Sequence, residues 1–128
     1  MNPIPLRRAA ERPVRILLVE DEIFLRMDVA ASLRNAGFEV IEAARADAAL
    51  EYVQSGEPVD LLLTDIRTPG DLDGLTLAER VLTRHPDMPV VIASGSSDVE
   101  SRARNLGEFV PKPYDPQRIA RLIATLMQ

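Results

Sequence analysis

The sequence predicts an α/β domain of three layers, in which five helices cover the two faces of a five-stranded parallel sheet. Two observations indicate this class. Short runs rich in Val, Ile and Leu alternate with longer segments whose apolar residues recur at helical spacing. The short runs also lack a strict alternation of apolar and polar residues, which is typical of strands covered on both sides. With 128 residues, 46% of them hydrophobic, the chain has the size of one such domain.

Five strands are predicted, and each precedes a helix. The candidate strands span residues 14–20, 38–43, 59–64, 89–93 and 108–110. Residues 1–13 contain three prolines and three arginines without usable periodicity. We therefore expect residues 1–13 to form a flexible N-terminal tail and residues 14–128 to form the folded domain.

The first helix has the clearest amphipathic pattern. Its apolar residues follow one another at intervals of four, four and three positions, and they are Leu25, Val29, Leu33 and Ala36. Gly37 comes next, at the position where glycine commonly ends a helix. These features predict a helix that ends near residue 36 and packs on the sheet through one face.

The other four helices differ in the strength of their apolar faces. The last has Asp115 as its N-cap and Pro116 at its first position. Its apolar face consists of Ile119, Leu122, Ile123 and Leu126. The inner face of the third consists of Leu75, Ala78, Val81 and Leu82. The second helix, about residues 46–55, and the fourth, residues 97–106, have thinner apolar stripes. We expect the fourth to be the least firmly packed.

Composition excludes several classes of function. The chain has no cysteine, which excludes a disulfide scaffold, iron–sulfur ligation and thiol catalysis. The absence is typical of a reducing compartment, so we expect a cytoplasmic protein. With 20 acidic and 15 basic side chains, the net charge of −5 argues against a nucleic-acid surface. The longest apolar run, residues 16–19, is far shorter than the roughly 20 residues that span a bilayer.

Polar side chains follow four of the five predicted strands. In chain order they are Glu20, Asp21 and Glu22 after the first strand, Asp65 after the third, Ser94 after the fourth and Lys112 after the fifth. The carboxyl ends of parallel strands meet at one edge of a sheet, so these groups should converge although up to 92 positions separate them. Each carboxylate alone is also explained as a helix N-cap, but the set as a whole indicates a site.

Converging carboxylates repel one another, by roughly 4 kcal/mol for a pair about 4 Å apart at an effective dielectric near 20. A hard divalent cation relieves this repulsion, and Mg2+ binds one or two carboxylates together with carbonyl and water oxygens. The hydroxyl of Ser94 and the ammonium of Lys112 would complete a receptacle for a phosphoryl group on Asp65. Lys112 is the only lysine among 15 basic residues. A flexible ammonium reaches one oxygen across a small pocket better than a planar guanidinium does.

Four segments of the chain together resemble the receiver domain of two-component response regulators. They are LLVEDE (17–22), LLLTDIRTPGDLDGL (61–75), VVIASG (90–95) and FVPKPY (109–114). Each segment is a weak signal alone, but their order and their place at strand ends are specific, and the match covers about residues 14–127. The resemblance implies a flavodoxin-like sheet of order 2-1-3-4-5.

The resemblance also implies a function, that of a phosphorylation-dependent signalling switch. Asp65 would accept a phosphoryl group from a sensor histidine kinase or a histidine phosphotransfer protein. Such a domain catalyses only its own phosphorylation and slow dephosphorylation, so we do not expect an enzyme with a separate substrate. The implied cofactor is Mg2+, and its implied ligands are Glu20, Asp21, Asp65 and the backbone carbonyl of Arg67.

Three further residues receive roles by the same resemblance. Ser94 and Lys112 would bind phosphoryl oxygens, and Phe109 would be an aromatic switch that turns inward when Ser94 moves toward the phosphoryl group. The change would reach the face of helix 4, strand 5 and helix 5, where a downstream protein would bind. A homodimer is a separate expectation, to which we assign no surface. Because the sequence ends at Gln128, we expect a stand-alone domain that acts by binding a partner or by draining phosphoryl groups from a kinase.

Three features depart from the family pattern. Glu20 stands where Asp is commoner, Thr68 stands where Met is usual, and the stretch from Asp65 to Gly74 is one residue longer than usual. None of these changes removes a required group. The longer and more acidic loop leaves a second interpretation open, namely a pseudo-receiver that binds partners with little phosphorylation.

Two other classes fit the sequence less well. Residues 71–75, DLDGL, are similar to the nucleophile motif of haloacid dehalogenase-like phosphatases. That motif should follow an apolar strand directly, and no cap domain fits in 128 residues. A flavin carrier of the flavodoxin type would need hydroxyls and glycine after the first strand, where Glu20, Asp21 and Glu22 would repel a phosphate.

Overall fold

The computed structural model of the chain describes residues 12–128, and it has the α/β architecture that the sequence predicts. The strands are β1 (Arg15–Val19), β2 (Glu39–Ala43), β3 (Leu61–Asp65), β4 (Val90–Ser94) and β5 (Glu108–Pro111). The helices are α1 (Ile23–Asn35), α2 (Ala46–Gln54), α3 (Gly74–Arg84), α4 (Glu100–Arg104) and α5 (Pro116–Leu126). Every predicted strand is present, with its ends shifted by no more than two residues.

The five strands form one parallel sheet in the order β2-β1-β3-β4-β5, which confirms the order implied by the resemblance. The inner strands β3 and β4 are buried along their whole length. After β1 the chain forms β2 on one side of β1 and then crosses to form β3 on the other side of β1, so the strand order reverses there. The crevice at the carboxyl ends of β1 and β3 is therefore the point where ligands bind in sheets of this kind.

Two apolar clusters, one on each face of the sheet, hold the three layers together. The first packs α2, α3 and α4 against the sheet and includes Leu62 and Leu77. The second packs α1 and α5 and includes Leu33, Leu63 and Ile123. Since successive side chains of a strand point to opposite faces, the neighbours Leu62 and Leu63 belong to different clusters.

The end of α1 shows how the local sequence determines a boundary. Gly37 has a φ of 96°, and the amides of Gly37 and Phe38 donate to the carbonyls of Arg34 and Leu33 at 3.0 and 3.2 Å. This pair of bonds is the Schellman motif, which glycine favours because it adopts positive φ without steric conflict. The helix ends before Ala36, which is exposed, so the prediction that Ala36 belongs to the buried face is wrong.

Side-chain caps begin α3 and α5. Asp115 accepts a hydrogen bond from the amide of Gln117 at 3.0 Å and Pro116 follows it, as the sequence predicts. At α3, Asp73 accepts from the amide of Thr76 at 2.8 Å, a cap that the sequence analysis did not identify. Both caps lie at the edge of the sheet where the strands end.

The fourth predicted helix is shorter than residues 97–106. A 3-10 turn, Ser97–Val99, precedes the five residues of α4, and Ala103 is the one residue of α4 that is buried. The segment contains few apolar side chains that could pack on the sheet, and a short helix depends on such packing for its stability. This thin packing agrees with the weak apolar stripe that the sequence shows for the fourth helix.

The start of α3 lies against the end of β3. The amide of Gly74 donates to the carbonyl of Ile66 at 2.8 Å, and a Cβ at residue 74 would lie 1.9 Å from the carbonyl oxygen of Asp65. Only glycine fits this close approach. The loop between Asp65 and Gly74 is therefore closed at its base, which fixes the backbone of Asp65.

Most of the predicted N-terminal tail, residues 1–11, lies outside the described residues. Arg12, the first described residue, donates two hydrogen bonds to the carboxylate of Asp60 at 2.7 and 3.2 Å. The limits of the folded domain stay a prediction. Within residues 12–128, no helix combines the length and the apolar character needed to cross a membrane.

Candidate functional site

The carboxyl ends of β1 and β3 bring three acidic side chains together. One carboxylate oxygen from each of Glu20, Asp21 and Asp65 lies within 4.8 Å of the others. Glu20 is 2% exposed and Asp65 is 9% exposed, whereas Asp21 faces solvent. The strand register explains the meeting, because Val19 lies opposite Thr64 and the next residue of each strand is an acid of this cluster.

Lys112 connects the two buried acids. Its Nζ donates one hydrogen bond of 2.8 Å to Glu20 Oε1 and another of 2.8 Å to Asp65 Oδ2. The amide of Lys112 donates to the carbonyl of Ser94 at 2.9 Å, which continues the pairing of β4 and β5 past the end of β5. The backbone thus fixes the base of the side chain, and its flexible stem reaches across the strand ends to both acids.

Two further donors hold Glu20. The amide of Glu22 donates to Glu20 Oε2 at 3.0 Å, and Arg26 Nη1 donates to the carbonyl of Glu20 at 2.8 Å. Burial raises the pKa of Glu20 above its ordinary value, although the hydrogen bonds from Lys112 and from the amide of Glu22 act in the opposite direction. The ionised form of Glu20 is therefore held in place but is poorly solvated.

The environment also shifts the pKa values of Lys112 and Tyr114. Burial acts to lower the pKa of Lys112, but the hydrogen bonds with Asp65 and Glu20 outweigh it and raise this pKa above its ordinary value. Burial raises the pKa of the Tyr114 phenol to about 12, and the negative charge of Glu20 adds to the effect. At neutral pH, Lys112 is charged and Tyr114 is neutral.

The charges of this cluster do not cancel. When all groups are ionised, the three carboxylates and the ammonium of Lys112 leave an excess of two negative charges. A divalent cation would neutralise that excess, and carboxylate oxygens are the ligands that Mg2+ prefers. Glu20, Asp21 and Asp65 therefore fit a Mg2+ site, in charge and in the spacing of their oxygens.

Ser94 and Arg67 are two further residues predicted for this site, and Ser94 is linked to it through its backbone carbonyl, which accepts a hydrogen bond from the amide of Lys112. Ser94 ends β4 and follows Ala93, the residue opposite Asp65. Its hydroxyl accepts a hydrogen bond from the amide of Ser96 at 3.1 Å. Arg67 is exposed, two residues beyond Asp65. The roles assigned to Ser94 and to the carbonyl of Arg67 stay predictions.

Phe109 is already turned inward in this structure. It lies on β5 opposite Ile92 and is buried in the apolar cluster that also contains Ala103 of α4. The guanidinium of Arg104 lies 5.9 Å from the centre of its ring. Phe109 thus connects β4 to α4, and its movement during signalling stays a prediction.

Three groups that shape the site were not predicted from the sequence. The amide of Glu22 and the guanidinium of Arg26 hold Glu20, and Tyr114 lines a cavity beside Lys112. A backbone donor leaves no signal in a sequence, and a sequence does not show where an arginine points. Tyr114 could have been identified, because it lies only two positions after Lys112.

Apolar side chains border the site. Ile23, Phe24 and Met27 are large, exposed residues in the first two turns of α1. Phe24 also lines a cavity of about 570 Å³ that Lys112 and Tyr114 share. Ile23, Phe24 and Met27 lie at neighbouring positions on the helix surface, and contiguous exposed apolar patches commonly mark surfaces that contact other proteins.

The chain matches the family model of the response regulator receiver domain over residues 16–124, which is most of its length. The chain belongs to this receiver domain family. The family assignment confirms the resemblance seen in the four sequence segments. Receiver domains are signalling domains of two-component systems that work with histidine kinases and bind Mg2+ at an acidic cluster.

Individual proteins support the same assignment. The receiver domain is 34% identical over 119 residues to the sensor kinase CckA of Brucella abortus, a match that covers 88% of this chain but 12% of that kinase. A response regulator receiver protein from Sinorhizobium medicae is similar in structure, with a TM-score of 0.84 and 30% identity over 91% of this chain and 95% of that one. The response regulator TrrA from Thermotoga maritima, solved in complex with Mg(2+)-BeF, has a TM-score of 0.79 and 27% identity over 88% and 98%.

We expect Lys112→Met to destabilise the metal-free domain by about 3 kcal/mol, because it leaves two buried carboxylates facing each other without their cation. Adding Glu20→Gln should recover much of this loss, since it removes one of the two charges. Urea denaturation of both single variants and the double variant measures the coupling. If Lys112→Met lowers the free energy of unfolding equally with and without Glu20→Gln, Lys112 does not act by neutralising Glu20.

The free energy of unfolding should fall as the pH rises from 10 to 12. In that window the unfolded chain releases protons from Tyr114 and Lys112 that the folded domain still holds, because both folded pKa values are raised. The stabilisation from these groups is complete below their unfolded pKa values and is lost at alkaline pH. Urea denaturation across this range measures the fall, and Tyr114→Phe should make it shallower. An equally steep fall in that variant would show that the Tyr114 pKa is not raised.

Proposed function

We propose that this receiver domain is a phosphorylation-dependent signalling switch whose Asp65 accepts a phosphoryl group. The observation that carries the proposal is the ammonium of Lys112, 2.8 Å from both Glu20 and Asp65 where the strands end. Membership of the receiver domain family supports it. Glu20, Asp21, Asp65 and the backbone carbonyl of Arg67 would hold Mg2+, which would neutralise charge on the phosphoryl oxygens.

The proposed chemistry transfers a phosphoryl group from an imidazole nitrogen to a carboxylate. An oxygen of Asp65 attacks phosphorus in line, the P–N bond to the donor histidine breaks, and the imidazole leaves with the electron pair. The product is an acyl phosphate on Asp65. Lys112 exchanges its hydrogen bond with Asp65 for one with a phosphoryl oxygen, and the hydroxyl of Ser94 donates to another.

The phosphoryl donor would be a second protein. The chain has one histidine, His85, which follows α3 at the edge of the sheet opposite Asp65. Receiver domains work with histidine kinases, which supports a sensor histidine kinase or a histidine phosphotransfer protein as the donor. Such a donor would cover the exposed apolar side chains Ile23, Phe24 and Met27 as it approaches the site.

The signal would leave through α4, β5 and α5. Movement of the Ser94 hydroxyl toward the phosphoryl group would break its hydrogen bond with the amide of Ser96, in the segment that leads into α4. That helix is weakly anchored, through Ala103, and rests on Phe109. Phosphorylation would thus shift the population of states at this face, where a downstream protein would bind.

Phosphorylation by a small donor tests the proposed acceptor. Acetyl phosphate with Mg2+ should add one phosphoryl group to the wild type and none to Asp65→Asn, because Asn lacks the attacking carboxylate. Intact mass spectrometry measures the gain. Asp71→Asn changes an aspartate of the same loop and should be labelled like the wild type.

Labelling of Asp65→Asn at the wild-type level would contradict the assigned acceptor. A folded wild-type protein that gains no phosphoryl group, either from acetyl phosphate or from a histidine kinase, would contradict the switch. That result would favour a pseudo-receiver that acts by binding alone.

Amide hydrogen exchange tests the proposed output face. Beryllofluoride with Mg2+, an analogue of the phosphoryl group, should increase exchange several-fold in residues 97–104 and leave α2 unchanged. The physical reason is the loss of the bond between Ser94 and the amide of Ser96. Lys112→Arg keeps the charge but not the compact ammonium, so it should weaken the response. Unchanged exchange in wild-type protein that has bound beryllofluoride would rule out this face.

A further inference from the structure

Arg26 connects the acidic cluster to the edge of the sheet. It lies in the first turn of α1, and its guanidinium donates to the carbonyl of Glu20 at 2.8 Å and to Glu42 Oε1 on β2 at 3.3 Å. The side chain is only 17% exposed. Long side chains of a helix point back toward its N-terminus, which explains how a residue of α1 reaches the end of β1.

The carbonyl that Arg26 binds belongs to the peptide between Glu20 and Asp21. On the other side of Glu20, its amide donates to the carbonyl of Ala43 at 3.0 Å, so the sheet fixes that end of the residue. Asp21 is exposed, and the position of its carboxylate therefore depends on the backbone that carries it. Arg26 holds that backbone from the helix side.

We propose that Arg26 is a positioning residue that aligns Asp21 with Glu20 and Asp65 for a divalent cation. Its guanidinium acts through the peptide of Glu20 and Asp21, since its contacts are the Glu20 carbonyl and Glu42. The inference rests on the Mg2+ site of the proposed function. It adds a residue outside the four sequence segments that carry the resemblance.

The charge of Arg26 and its hydrogen bond with the Glu20 carbonyl have opposite effects on Mg2+ affinity. A guanidinium near the acidic cluster repels a second cation, so the loss of its charge alone would tighten Mg2+ binding. Loss of its bond with the Glu20 carbonyl would release Asp21 and weaken binding. The direction of the change in affinity therefore separates the two effects.

Arg34 is a matched control on the same helix. Its guanidinium donates to Glu42 Oε2 at 3.1 Å and to a backbone carbonyl, that of Val40, at 3.1 Å. Val40 lies within β2, away from the acidic cluster. Arg34→Gln thus removes a comparable link between α1 and β2 without affecting the peptide that carries Asp21.

Calorimetric titration with Mg2+ compares the wild type with Arg26→Gln, Arg26→Lys and Arg34→Gln. We expect about tenfold weaker binding in Arg26→Gln, since groups that orient metal ligands typically contribute tenfold or more. Arg26→Lys keeps the charge and a donor, so it should recover part of the affinity, and Arg34→Gln should bind like the wild type. Unchanged or tighter binding in Arg26→Gln, or equal weakening in Arg34→Gln, would overturn the proposal.

Amide hydrogen exchange of the metal-free proteins tests the same contact independently. The amide of Glu22 donates to Glu20 Oε2, so it reports how firmly this turn is held. It should exchange several-fold faster in Arg26→Gln than in the wild type or in Arg34→Gln. Equal exchange would overturn the positioning role. If Arg26→Gln speeds exchange but the wild type binds no Mg2+, the contact of Arg26 holds the turn and only the metal site is contradicted.

Discussion

The ammonium of Lys112 is the interaction on which the rest of the site depends. A parallel sheet ends all its strands at one edge, and here that geometry places two acids, Glu20 and Asp65, side by side in a buried position. Two ionised carboxylates cannot share such a place without a counter-charge. Lys112 reaches both from the far strand of the sheet, at 2.8 Å each. The same cation therefore stabilises the fold and lies where the proposed phosphoryl group would bind.

The site remains electrostatically incomplete after Lys112 is counted. With Asp21 included, the carboxylates outnumber the ammonium by two charges, and burial raises the pKa of Glu20. Unneutralised carboxylates lower the free energy of unfolding, and functional sites often carry such a cost in stability. The excess charge explains why the cluster fits a divalent cation, and the flexible stem of Lys112 would let the ammonium follow the proposed phosphoryl group.

Much of this architecture could be predicted from the sequence, because the features that specify it are local. Short runs of Val, Ile and Leu predicted each strand to within two residues, Gly37 predicted the end of α1, and Asp115 predicted the start of α5. The length of α4 was not predictable, since it depends on how little apolar surface that segment can bury against the sheet. The site acids and Lys112 were predictable from strand ends alone. The contacts of Arg26 and the inward position of Phe109 depend on side-chain direction and tertiary packing, which no spacing encodes.

Locating the phosphoryl group on the chain tests whether Asp65 is its acceptor. Borohydride converts an aspartyl phosphate into homoserine, so reduction of the phosphorylated domain followed by peptide mass mapping identifies the acceptor residue. We expect homoserine at position 65 and at no other aspartate, with Mg2+ required for its formation. Homoserine at Asp21, or a phosphoryl group on a residue that does not react with borohydride, would contradict it.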